Sequence, residues 1–193
     1  MSKIEFIIPT YDRTDHLMCI LNSLCSQTSD RWIAHVVADC PPENSLDKIM
    51  NYFDGDERIK FTILPVRHND WGHTPRNYGL EHATEEWVVM TGEDNYYVPT
   101  FVKTFLDVAT PSTHFIFCDM VHNWVNNQYI HLKSNIAFGQ IDIGNFASKR
   151  KYASQLKLNT SINQADWLFI ENYLTKFPEG KIKYIPKTLY VHN

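Results

Sequence analysis

The feature that most constrains this chain is an alternation, across residues 1–120, of short apolar runs with amphipathic segments. Residues 4–8 carry Ile4, Phe6, Ile7 and Ile8 and end at Pro9, which reads as a buried strand. Residues 33–38, 59–64, 87–90 and 115–120 read the same way. Between them, Leu17, Ile20, Leu21 and Leu24 recur at helical spacing within 13–27. Further helices are predicted over 45–53 with Ser45 as cap, over 75–83 with Pro75 in the first turn, and from Pro99 through 108. Strands alternating with helices imply βαβ units and a mostly parallel sheet with right-handed crossovers. Ligands in such sheets bind beyond the carboxyl ends of the strands. That rule directs attention to residues 9–13, Asp39 and residues 92–95, the least periodic and most polar pieces of this half.

The second half is less regular. Residues 121–140 read as a hairpin or meander, 146–156 and 166–177 as helices, and 182–185 as a strand stopped by Pro186. This region has too little apolar mass to fold alone, so the 193 residues are expected to form one domain. Hydrophobic residues at 44% and aromatics at 13% supply a core and exclude a disordered chain. No run of about 18 apolar residues spans a membrane, and the start at Met1-Ser2-Lys3-Ile4-Glu5 lacks a signal-peptide core. The expectation is therefore a cytoplasmic chain, near the size of a minimal catalytic domain, without a membrane anchor or C-terminal extension. Its four cysteines form no CxxC pair, so they are expected to be reduced thiols packed mostly in the core.

A net charge of −4 argues against a general polyanion binder. Lys149-Arg150-Lys151 is a candidate contact for a phosphate or acidic acceptor, or else a solvated helix face. The chain has neither a GxGxxG fingerprint nor a Walker A sequence, which sets aside Rossmann oxidoreductases and P-loop enzymes. The turn Glu93-Asp94-Asn95 suits a hard divalent cation held together with substrate phosphate, and equally suits an acidic helix start. Asp166, beside Trp167, reads as a helix cap or a base, and His192 as an exposed imidazole or a ligand. Each signal is weak alone.

Together and in order, these segments resemble the family-2 glycosyltransferases of the GT-A fold, nearly end to end. Ile7-Ile8-Pro9-Thr10-Tyr11-Asp12-Arg13 is similar to that family's opening strand and nucleotide loop, and Ser23-Leu24-Cys25-Ser26-Gln27-Thr28 to its first helix end. Val36-Val37-Ala38-Asp39 resembles the strand with paired acids, with Ala38 in place of the first. Gly72-His73-Thr74-Pro75-Arg76-Asn77-Tyr78-Gly79-Leu80 resembles its Arg-Asn-Gly helix start. Gly92-Glu93-Asp94-Asn95 stands where the family has DxD, with Gly92 for the first acid. Ala165-Asp166-Trp167 resembles the Glu-Asp-Trp segment without its Glu, and 183–192 the closing strand.

The resemblance implies a GT-A α/β fold: a nucleotide-sugar half over 1–110 and a mixed acceptor-side half over 111–193. It implies that Pro9, Thr10, Tyr11 and Arg13 line the base and ribose pocket, and that Asp39 accepts the N–H of a base. UDP-sugar is favoured as donor, with GDP- or TDP-sugars also compatible. Glu93 is expected beside the ribose or metal and Arg76 near the diphosphate or packed on the sheet. Asp94 and His192 would hold Mn²⁺ or Mg²⁺, and Asp166 would be the catalytic base. Asp142, Asn145 and Trp167 are candidate acceptor or sugar contacts, and Tyr96, Tyr97 and Trp124 candidate stacking or core aromatics. The implied reaction is metal-dependent inverting transfer of a hexosyl or pentosyl group to a hydroxyl acceptor of unknown identity. Two alternatives are a non-catalytic nucleotide-sugar-binding module and a transferase that glycosylates a hydroxyl-bearing nucleic-acid base through Lys149, Arg150, Lys151, Lys181 and Lys183. Net charge disfavours the second, and steep salt dependence would be its signature. A nucleotidyltransferase is a third; it would need a Gly-rich basic loop where Pro9-Thr10-Tyr11 stands.

Overall fold

The computed structural model describes residues 1–126 and 128–193, with the side chains of Trp124 and Val125 outside the description. Trp124 as a stacking aromatic therefore lies outside the described residues. Strands β1 (Ile4–Thr10), β2 (Trp32–Ala38), β3 (Ile59–Ile63) and β4 (Trp87–Met90) pair parallel in the order β3-β2-β1-β4. Successive side chains on a strand face opposite ways, and both faces of this sheet are covered. Phe6, Ile8 and Val89 join Leu17, Ile20, Leu21 and Leu24 of helix α1 (Thr14–Cys25) in one core. Ile7, Val88 and Met90 join Leu80 of helix α3 (His73–Glu81) in the other. α3 lies so close to β1 that a Cβ at Gly79 would meet Ile7 Cγ2 at 2.4 Å. The short helix α2 (Asp47–Tyr52) closes the β2–β3 connection.

The sheet continues through the second half in the order β4-β8-β6-β9-β5, built from β5 (Tyr96–Tyr97), β6 (Thr113–Val125), β8 (Phe146–Lys149) and β9 (Lys181–His192). β6 and β9 run parallel, β8 is antiparallel to both β4 and β6, and β7 (Gln128–Leu132) hangs from β6. Helices α4 (Phe101–Val108), α5 (Arg150–Ala153) and α6 (Ala165–Lys176) complete the chain. The expected α/β architecture, with a mixed C-terminal side, is the one observed.

Several local expectations are corrected. The helix predicted over 146–156 is a strand through Lys149 and only four residues of helix, Arg150–Ala153. Phe146 and Ala147 are both fully buried and go to opposite cores, which only a strand between β4 and β6 can do. β9 does not stop at Pro186: the ladder pairs Cys118 with Ile185 and next Asp119 with Thr188, so the proline, which has no N–H, falls in the bulge. Ser45 does not cap a helix, since α2 starts at Asp47 without a side-chain cap and Ser45 Oγ is buried with no partner. All four cysteines are free, but only Cys118 is buried. Lys149 is buried with Nζ on Pro111 O at 3.0 Å, and Arg150 Nε donates to Glu85 O at 2.8 Å. Lys149 and Arg150 thus fasten β8 to its neighbours, while Lys151 is exposed. Among the described residues, no helix is long and apolar enough to cross a membrane.

Candidate active site

A cleft of about 600 Å³ opens at the carboxyl ends of β1, β2 and β4, where the parallel topology places it. From the predicted set, Pro9, Thr10, Tyr11, Arg13, Asp39, Arg76, Glu93, Asp94, Asp142, Asp166 and His192 all line it. Asn145 and Trp167 do not. Asn145 is fully buried; its amide donates to Cys118 O (2.8 Å) and Ser134 Oγ (2.9 Å), and its Oδ1 accepts from Asp142 N (3.1 Å). It therefore fixes the turn that carries Asp142. Trp167 is half-buried, edge-on to Phe138. Tyr97 is a core residue whose hydroxyl donates to Gly144 O, while Tyr96 is exposed.

The side built from β1, β2 and β4 is set by neighbouring parallel strands. Arg13, at the start of α1, reaches across to the turn after β4, with Nε 2.6 Å from Glu93 Oε1 and Nη1 2.9 Å from Asp94 Oδ2. The Thr10 hydroxyl donates to the other Glu93 oxygen. Burial pushes the Glu93 carboxyl above its ordinary value, against the pull of Thr10 and Arg13. Asp39 follows β2 and accepts from Asn69 N at 2.9 Å and from His68 N and Nδ1 at 3.0 Å each. Burial alone would raise its pKa, but the hydrogen bonds outweigh it and hold the carboxyl below the usual value. Ala38 lies in the α1-side core, where an acid would be buried away from water, whereas a Cβ at Gly92 would meet only the side-chain ends of Asp94 and Asn95, so sterics do not explain that glycine.

The opposite side is assembled over long range. His192 ends β9 and reaches the acidic turn because Tyr96 pairs with Val191 and Asn193 N donates to Asn95 Oδ1 at 3.3 Å. His192 Nε2 lies 3.7 Å from Asp142 Oδ2. Asp142 is oriented through its other oxygen by Tyr190 Oη (2.6 Å) and Gly144 N (2.8 Å). Asp166 stands in the first turn of α6 with Oδ1 accepting from Trp167 N at 2.8 Å. Burial raises its pKa, Asp142 adds to the rise, and Arg76 opposes it. The loop before α6 is tied to α3: the Asn77 amide exchanges two hydrogen bonds with the Leu158 backbone (3.0 and 2.8 Å), and His73 Nε2 sits 3.1 Å from Ile162 O.

Arg76 joins the two sides. Its buried guanidinium donates to Thr91 O (3.0 Å) and Trp71 O (2.8 Å) and feels Asp142, Tyr190, Asp166 and Asp94. Burial lowers its pKa against the neighbouring carboxylates. Sequence reading missed Arg67, whose guanidinium lies 3.4 Å over the Tyr11 ring, and also Asn69, Trp71, His73, Ile143 and Asn163. Most of these lie on loops without periodicity; the Trp71-Gly72 dipeptide before α3 was the one local cue.

Among the described residues, no three His, Cys, Asp or Glu side chains are arranged to cage a metal by themselves. Asp94 and His192 line the cleft from its two sides, and a carboxylate and an imidazole are donor types that suit a divalent ion arriving with a diphosphate.

An open α/β sheet with a polar, acid-lined cleft at its carboxyl edge is the architecture in which ligands bind beyond the strand ends. The family description "Glycosyl transferase family 2" matches residues 5–172, and the chain belongs to that family. An uncharacterized glycosyltransferase of Haemophilus influenzae is 24% identical over 127 residues, 62% of this chain and 40% of its own length. The structure of S. aureus TarS 1–349 in complex with UDP matches with TM-score 0.81 at 18% identity, over 99% of this chain and 60% of that one. The mannosyltransferase PcManGT from Pyrobaculum calidifontis, in complex with GDP-Man and Mn²⁺, matches with TM-score 0.70 at 16% identity, over 98% of this chain and 56% of that one. The chain thus spans 40–60% of the length of these relatives, and its fold is the GT-A fold of the structural neighbours.

Proposed function

We propose that this chain transfers a sugar from a nucleoside-diphosphate donor to a hydroxyl acceptor with inversion at the anomeric carbon. The observation that carries this is the meeting of Asp94, Asp142, Asp166 and His192 around Arg76 in one cleft, from segments far apart in sequence. The base and ribose lie against Thr10, Tyr11, Arg13 and Asp39, and the Asp39 carboxylate accepts the base N–H. That acceptor suits uracil, thymine or guanine; UDP, bound by TarS, is the favoured carrier, and GDP-Man, bound by PcManGT, keeps GDP in play. Arg76 faces the diphosphate, whose charge its guanidinium offsets.

Asp94 and His192 would hold a divalent cation, which when bound would supply positive charge to offset that of the leaving diphosphate. Asp166 takes the acceptor hydroxyl proton during attack, a task worth about 10²–10⁴-fold in rate. Its burial suits the role, because a carboxylate with a raised pKa is a stronger base. One displacement converts an α-linked donor into a β-linked product. Lining side chains such as Ile143 help exclude water from the oxocarbenium-like transition state.

The test is a thermal-shift panel of UDP-, GDP- and TDP-sugars with and without Mn²⁺. One carrier is expected to stabilise the protein, by about 2.7 kcal/mol at one hundred times Kd, and Mn²⁺ to enhance the shift. No shift with any donor would overturn the reading. A second reading, a nucleotide-sugar-binding module without turnover, draws on Gly92 and Ala38 standing where the resemblance expects acids. Donor binding with neither hydrolysis nor transfer in Mn²⁺ would favour it.

A further inference from the structure

Trp71 lines the cleft and is nevertheless 56% exposed. Its φ is +58°, between Asn69 at +53° and Gly72 at +79°, a left-handed conformation that bulky residues rarely adopt. The backbone around it is nonetheless fastened on every side. Asp39 accepts the N–H groups of His68 and Asn69, Arg76 Nη1 donates to Trp71 O at 2.8 Å, and Asp70 Oδ2 accepts Thr74 N at 2.9 Å. Gly72 is needed at the next position, since a Cβ there would lie 2.8 Å from Pro9 Cβ. The loop therefore fixes an unusual conformation whose visible result is an indole held out of the core. Strain of this kind gathers at functional sites.

The loop also has a direction. At its start, Arg67 covers Tyr11 and the 68–69 backbone binds Asp39, both on the nucleotide side. At its end, the Trp71 ring is 5.9 Å from the His73 ring, which holds the segment containing Ile162 and leading through Asn163 to Asp166.

We propose that Trp71 is a stacking platform for a pyranose ring of a glycan acceptor. This rests on the transferase reading above and adds the acceptor's chemical class. An indole face offers a large rigid apolar surface for the C–H face of a sugar, and its N–H gives a polar edge for a hydroxyl. Asn163 lines the same cleft and supplies an amide for further hydroxyls.

The experiment is calorimetric titration of chitotetraose, a neutral probe, and chondroitin tetrasaccharide, an acidic one. The protein is loaded with UDP or GDP, whichever binds, and wild type is compared with Trp71→Ala and Trp71→Phe. At least one glycan is expected to bind wild type, about tenfold or more weaker to Trp71→Ala and within about threefold for Trp71→Phe. Nucleotide affinity should stay within about twofold throughout. Equal glycan affinity in Trp71→Ala, a loss confined to the nucleotide, or no glycan binding to nucleotide-loaded wild type would each overturn the platform. Failure of wild type to bind either nucleotide would instead overturn the transferase reading itself.

Discussion

The two walls of the cleft are made differently. On one, Thr10, Asp39 and Glu93 sit within a few residues of the ends of parallel strands, so the sheet's register brings them together and Arg13, His68 and Asn69 then hold the carboxylates. On the other, Asp142, Asp166 and His192 come from a loop, a helix start and a strand end, and cross-links position them: Tyr190 on Asp142, Asn77 on the loop before Asp166, and Asn193 on the acidic turn. The lesson is that the first wall should survive single substitutions outside it, whereas the second depends on tethers. Arg76 belongs to both.

Breaking Arg76 should therefore do the most damage. Arg76→Ala removes the buried cation that faces Asp142 and Asp166, while Asp94 keeps Arg13; breaking such a buried charge arrangement typically costs about 3–5 kcal/mol. A fall of roughly 6–20 °C in Tm, with lost donor binding, is expected in a thermal melt; a Tm within a degree of wild type would show that the walls are independent of it.

Asn77→Ala should separate the walls. Losing two half-buried hydrogen bonds to Leu158 is expected to cost about 1–3 kcal/mol. Nucleotide affinity should hold within about twofold while kcat falls roughly tenfold. Equal losses in both would mean the tether acts on the whole fold.

The smallest effect is in the opposite direction. The Asp166 carboxyl is raised in the folded state, chiefly by burial. The native protein thus binds that proton more tightly than the unfolded chain. Its contribution is fully present below the unfolded pKa of about 4 and is lost as pH rises through the folded value. At pH 7 the ionised group opposes folding, so Asp166→Asn should raise Tm by about 1–4 °C. The gain should vanish in melts at pH 3, and a gain that persists there would point to packing instead.

The same contrast explains what could be read from the amino acids. Periodicity located β1, β2 and β4 because each is a local apolar run buried on both faces, as Phe6 and Ile7 illustrate, and the edge strand β3 because its apolar residues alternate along a short local run. It misassigned Phe146 to a helix because that residue's strand character is conferred by β4 and β6, which no local pattern records. Pro186 suggested an end to β9 where a bulge absorbs it. Asp94, Asp166 and His192 were legible only through the order of motifs, and the structure brings them to one cleft. Arg67 and Trp71 escaped because the positive-φ loop that presents Trp71 has no periodicity to read.

The most direct measurement of the central claim is single-turnover sugar transfer, or donor hydrolysis, by wild type and Asp166→Asn beside donor Kd in the same buffer. The account predicts donor affinity within about twofold and turnover reduced by about a hundredfold or more. Undiminished turnover in Asp166→Asn would contradict it.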